Sequence, residues 1–159
     1  MIKIHTDGAC RGNQYTTNQG GWGFAITDTT ANKIRHAWGH ETNTTSNRMV
    51  MTAAISALHA IRNRPPSSVT LFSDSQLMIK GMNEWLKGWK ARGWKTANRK
   101  PVENKDLWLQ LENLDAKHKI SWVHVKAHSG NFDNEIASQL AKRGADGTNG
   151  TQDFKAIYH

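Results

Sequence analysis

The opening stretch Ile2-Lys3-Ile4-His5-Thr6-Asp7-Gly8-Ala9-Cys10-Arg11-Gly12-Asn13 restricts the fold more than any other part of the chain. Apolar Ile2 and Ile4 alternate with Lys3 and His5, the period-two signal of a strand with one face buried. The strand is expected to end at Asp7-Gly8, where glycine permits a sharp turn. A carboxylate closing a first strand beside a glycine is well placed to hold a metal ion over the end of a sheet. The same residues also describe a solvated Asp-Gly turn.

The rest of the chain predicts an α/β domain. Gly20 to Thr27 reads as a second strand, and Lys33 to Trp38, continuing towards Thr42, as a third. The turn at Asp28 to Asn32 makes these an antiparallel meander. Ser46 is expected to cap a helix whose Met49, Val50, Ala53, Ala54, Ala57, Leu58 and Ile61 recur at three- and four-residue spacings. Arg64-Pro65-Pro66 stops it. Val69 to Ser73 is a fourth strand, followed by helices from Ser75 to about Gly81 and from Asn83 to about Trp89. A basic loop spans Ala91 to Pro101, a helix Asn104 to Leu114, a fifth strand Ile120 to Val125, and a last helix Asp133 to Lys142. The expectation is a mixed five-stranded sheet, antiparallel over its first three strands, with helices on its faces. Residues 1–145 form the domain, and 146–159 a polar, mobile tail.

Asp74 repeats the context of Asp7: an alternating strand, then Asp, a small residue and a helix. Neighbouring strands lie ~5 Å apart, so the two carboxylates could share a divalent cation of the hard, oxygen-loving kind. Asp74-Ser75 also suits a plain helix cap.

Charge points to a partner. Among 159 residues, 21 Lys+Arg against 13 Asp+Glu give 21 − 13 = +8, which favours a polyanion, nucleic acid first. Between Lys80 and Lys100 lie Lys80, Lys87, Lys90, Arg92, Lys95, Arg99 and Lys100 against a single Glu84. Trp85, Trp89 and Trp94 are interleaved, and Trp108 comes just beyond. Cations neutralise phosphates while aromatic faces stack on sugars or bases. Trp85 and Trp89, one helical turn apart, also suit packing of that helix on its neighbour. The single Cys10 allows no internal disulfide or Cys-based zinc site, so a reducing compartment is expected. No apolar run approaches the ~20 residues of a membrane span, and the N-terminus lacks a secretory layout. The reading is a cytoplasmic monomer with no membrane partner.

Six motifs then occur in order: Thr6-Asp7-Gly8-Ala9-Cys10-Arg11-Gly12-Asn13, Thr44-Thr45-Ser46-Asn47-Arg48-Met49, Ser73-Asp74-Ser75-Gln76, Trp89-Lys90-Ala91-Arg92-Gly93-Trp94-Lys95-Thr96, Asp106-Leu107-Trp108 and Val125-Lys126-Ala127-His128-Ser129-Gly130. Together they resemble bacterial type 1 ribonuclease H, from Ile2 to about Ala145. The resemblance implies the ribonuclease H-like fold with a basic protrusion, and Mg²⁺-dependent cleavage (Mn²⁺ serving as well) of the RNA strand of an RNA/DNA hybrid. Position by position, it makes Asp7 and Asp74 metal-binding catalytic acids. His128 becomes the histidine that assists proton transfer or product release. It assigns Asn13, Asn47 and Gln76 to the hybrid's minor groove and Thr45 to a DNA phosphate, with Ser46 beside it among the substrate-binding residues. Trp85, Lys90, Arg92, Lys95 and Trp108 fall to the DNA channel and protrusion. Since the 2′-hydroxyl distinguishes RNA from DNA, groove-facing donors and acceptors are the expected readers.

The chain departs from the family at two acids. Where the resemblance expects Glu after Asn-Arg-Met stands Val50, and where it expects Asp in the last helix stands Ser138. Valine cannot ligate and serine is a weak neutral ligand, so a second ion would be hard to retain. Losing one preorganised electrostatic group commonly costs ~10²–10³ in rate. Glu135, one helical turn before Ser138, could reach the site as a further catalytic acid. Glu41 and Asp133 are weaker candidates. Residues 14–19 replace a compact Pro/Gly turn, altering the rim near Asp7. Three readings are left: a hybrid nuclease of weak activity, an inactive hybrid-binding module and, less favoured because the groove-facing side chains would then be incidental, a general basic nucleic-acid binder.

Overall fold

The computed structural model describes residues 1–12, 17–127 and 130–155. Strand β1 (Ile2–Arg11) pairs antiparallel with β2 (Gln19–Asp28), which pairs antiparallel with β3 (Lys33–Thr42). On its other side β1 runs parallel to β4 (Ser68–Ser73), and β4 parallel to β5 (Lys119–His124). The helices are α1 (Ser46–Ala60), α2 (Gln76–Lys80), α3 (Leu86–Ala91), α4 (Lys105–Asp115) and α5 (Phe132–Ala145). The meander, the α1 stripe and the later alternation of helix and strand match the sequence expectation.

The strand count does not. A sixth strand, β6 (Gly150–Lys155), pairs antiparallel with β3, giving the order β5-β4-β1-β2-β3-β6. It lies in the stretch read as a polar tail. Almost all of β6 is exposed, so it has no buried face to imprint a period-two pattern on its sequence.

Strand β1 is covered on both faces. Ile2 and Ile4 join Val50, Met51, Ala54 and Leu58 of α1 in the main apolar cluster. His5, on the opposite face, is also buried, at 3% exposure. Each large apolar side chain fully buried here contributes roughly 1.5–3 kcal/mol. Helix α5 closes the second face through glycines of β2. A Cβ on Gly21 would stand 2.0 Å from the Ala141 carbonyl oxygen, and one on Gly23 2.6 Å from the Ala141 nitrogen. Helix and sheet therefore meet backbone to backbone.

Three local expectations are corrected. Strand β1 does not end at Asp7-Gly8; it continues to Arg11 along β2. Its pairing with β4, however, stops at His5–Phe72, so Asp7 stands where β4 has just left the sheet. Gly8 is needed for proximity rather than for a turn, because a Cβ there would lie 2.4 Å from the Val50 nitrogen. The cap of α1 is Thr45, not Ser46: its backbone is extended and its hydroxyl accepts from the Arg48 N–H at 3.1 Å. Finally, the helix beyond Asp74 does not break at Gly81. It continues through a π-helical turn, Gly81–Trp85, into α3. Gly81 lies against the Trp108 indole, where a Cβ would come within 2.1 Å.

Candidate functional site

Asp7 and Asp74 reach one cleft because the pairing of β1 with β4 stops at His5–Phe72, two residues before each of them. The Gly8 N–H donates to the Asp7 carboxylate at 2.8 Å. Asp74 is half-buried between β4 and α2. There Ser75 caps α2, its hydroxyl accepting from the Met78 N–H at 3.2 Å. Helix α5 supplies the opposite wall. Asn131 caps it, accepting from the Asn134 N–H at 3.0 Å, and its first turns carry Asn134, Glu135 and Ser138 into the same space. Among the described residues the cleft is lined by Thr6, Asp7, Asp74, Ala127, Asn134, Glu135 and Ser138. Thr6 and Ala127 carried no signal of their own, since each is defined by what it stands beside.

Val50 does not join the cleft lining. It is 8% exposed within the main apolar cluster, on the α1 backbone that presses against Gly8. Glu41 and Asp133 do not line it either. His128 and Asn13 lie outside the described residues.

The donors gathered here are oxygens, the kind hard divalent cations take. Among the described residues, however, no three His, Cys, Asp or Glu side chains group closely enough to hold a metal ion between them. Behind the cleft, His5 stacks on Phe72 with ring centroids 4.5 Å apart. Burial holds its imidazole below the ordinary value, against the opposing field of Asp133 and with a smaller lowering from Lys3.

The groups expected to grip a ligand sit mostly on the surface. Thr45, Ser46 and Asn47 are exposed at the start of α1, and Gln76 at the start of α2. Arg48 ties the first of these regions to α4. It donates to Asn104 at 3.1 Å and to both oxygens of Asp106, whose carboxyl it holds below the usual range.

The basic arm stands on a tryptophan cluster. The Trp89 ring lies 5.9 Å from Trp85, 6.5 Å from Trp94 and 5.1 Å from Trp108. Beyond it the chain folds back on itself, the Val102 N–H donating to Trp94 at 3.1 Å and the Thr96 N–H to Lys100 at 2.8 Å. Lys80, Lys87, Lys90, Arg92, Lys95, Arg99 and Lys100 are all exposed. Lys90 is partly engaged by Glu112 at 2.9 Å. Trp85 keeps 37% of its surface open, but Trp108 keeps 2%. The assignment of Trp108 to ligand contact is thereby corrected: its indole supports Trp89 and Gly81 from beneath.

Among the described residues, no helix is long and apolar enough to cross a membrane. The RNase H family model matches residues 1–146. The ribonuclease H of Cupriavidus pinatubonensis is 50% identical over 143 residues, covering 90% of this chain and 94% of that protein. The ribonuclease H of Pseudomonas fluorescens is 45% identical over 149 residues, covering 94% and 93%. Among solved structures, LC9-RNase H1, described as a type 1 RNase H with the type 2 active-site motif, superposes with a TM-score of 0.82 at 32% identity. That match covers 96% of this chain and 77% of LC9-RNase H1.

Proposed function

The chain belongs to the ribonuclease H family, and from that premise we propose that it binds RNA/DNA hybrids and cleaves their RNA strand weakly, with divalent metal. The observation that carries the proposal is the cleft itself. Asp7 and Asp74 arrive from two strands opposite Glu135 and Ser138 of α5, while Val50 is sealed into the core. One side of the expected acid set is therefore present and the other is not.

Asp7 and Asp74 are the residues that would hold a cation, with Glu135 on the facing wall. The donor set suits one hard ion whose remaining ligands are water and substrate oxygens, and it does not suit a pair. A divalent cation bound there would neutralise phosphate charge and lower the pKa of an attacking water. The chain's own contribution is positioning. Gly8 N–H orients the Asp7 carboxylate, and the α5 contact with Gly21 and Gly23 fixes how closely Glu135 faces it. The arm supplies the salt-dependent grip, and Asn47 and Gln76 are the described side chains assigned to the groove.

The alternative is an inactive hybrid-binding module. It draws support from Val50, a buried side chain with no ligating atom, and from the lack of a three-acid cluster among the described residues.

An end-labelled hybrid incubated with Mg²⁺ or Mn²⁺, beside an identically purified Asp74→Asn variant, separates these readings. The expected result is tight binding with slow RNA cleavage that the variant abolishes. Binding without cleavage above the variant leaves the binding module. Equal affinity for hybrid and duplex DNA, with a steep salt slope, would reduce the chain to a general basic nucleic-acid binder.

A further inference from the structure

Helix α5 begins with Phe132, whose exposure of 76% exceeds that of every other large apolar residue described. Glu135 and Ser138 come after it at intervals of three, so the three residues form one ridge along the helix. The two inner members line the carboxylate cleft. Phe132 is the outer member, with its Cβ about 5–6 Å from that of Glu135. The opposite side of the cleft has a lesser counterpart: α2, which starts just beyond Asp74, exposes Leu77 to 40% in its first turn. An acidic cleft thus opens between two helix starts that each offer an apolar side chain to solvent.

We infer that Phe132 contacts substrate, packing its ring on the sugar or base edge of a nucleotide next to the phosphate that enters the cleft. The inference rests on the hybrid-binding reading and adds a residue to it. Carboxylates at the cleft attract no phosphate by themselves, and the charged arm is carried by a different part of the chain. A ring at the rim engages the uncharged parts of a nucleotide, the sugar and the base. An A-form-like duplex displays these across a wide, shallow minor groove. Such contacts tolerate any sequence, because every nucleotide offers a comparable apolar face. With so little of its surface buried, Phe132 contributes almost nothing to the core, so its replacement acts on binding rather than on folding.

The test is fluorescence anisotropy of a labelled RNA/DNA hybrid at several KCl concentrations, without divalent metal. Wild type is compared with Phe132→Ala, Phe132→Trp and Phe154→Ala. Phe154 is an exposed aromatic at the sheet edge, in β6. Phe132→Ala is expected to weaken binding about fivefold or more at every salt concentration. The slope of log K against log[salt] stays unchanged, because no phosphate contact is lost. Phe132→Trp retains the affinity, and Phe154→Ala binds as wild type. The inference is overturned if Phe132→Ala binds like wild type, or if its loss comes with a shallower slope that Trp does not restore. A wild-type chain that fails to bind hybrid overturns the hybrid reading first, and this contact with it.

Discussion

The cleft and the arm are built on opposite principles. Around the cleft, backbones touch: Gly8 against α1, Gly21 and Gly23 against α5, with no space for even a methyl group. In the arm, seven exposed cations ride on a tryptophan cluster and a folded-back loop. In the first, neighbouring backbones leave no slack for an added side chain. In the second, charge is distributed over several exposed residues. Ser138 lines the cleft, and Val50 lies in the core on the α1 backbone that presses against Gly8. On the proposed reading, substitutions at these two positions lower turnover far more than they lower the grip on a polyanion.

The sharpest way to break this contrast is to restore the expected acids. Val50→Glu with Ser138→Asp is expected to raise Mg²⁺-dependent hybrid cleavage by about 10² or more, measured as initial rate. An unchanged rate would mean that the cleft's shape, rather than its charge, limits the chemistry. Next in size is the backbone contact. Gly21→Ala should lower stability by about 3 kcal/mol or more in denaturant unfolding, because the methyl group meets α5 backbone that cannot move aside. A neutral result would show that α5 is held more loosely than its packing implies. In the arm, Lys95→Ala should weaken hybrid binding only a fewfold and reduce the salt slope by about 0.9 if Lys95 neutralises one phosphate. A tenfold larger loss would make the arm as exacting as the cleft.

The smallest effect is on pH. His36 is half-buried on β3, and burial lowers its pKa, against the pull of Asp133. A histidine with a depressed folded pKa contributes stability that is present above its ordinary value near 6.5 and lost as pH falls through the folded value. Thermal unfolding should accordingly show a shallower decline between pH 7.5 and 5 in His36→Phe than in wild type. Identical slopes would mean that the imidazole is solvated equally in both states.

How far the sequence disclosed these regions depends on which forces are local. The α1 stripe and the end of β4 beside Asp74 were legible, because periodicity and strand-end chemistry are written in neighbouring residues. The run of β1 beyond Asp7 was not. Gly8 looks like a turn residue until α1 is seen pressing on it, and that contact joins residues far apart in sequence. Trp108 reads as part of a basic, aromatic ligand surface, yet the fold turns it inward beneath Gly81. The continuous helix through Gly81–Trp85 was hidden for the same reason, since glycine's usual helix-breaking tendency is overridden by the indole it accommodates. Thr45 and Ser46 compete for one cap on nearly equal propensity, and only backbone geometry decides between them.

The sixth strand has a consequence for how molecules of this chain meet one another. Unpaired N–H and C=O groups along a sheet margin invite a second copy to add its own strand, the first step towards aggregates. By covering β3 from Lys33 to Trp38, β6 withdraws that invitation from a longer strand that includes the buried Ala37 and Trp38. The margin it offers in exchange is short and, Phe154 apart, polar, and it carries Asp153 and Lys155. Its contribution is colloidal as much as structural: a few polar residues keep a sticky seam from facing the solution.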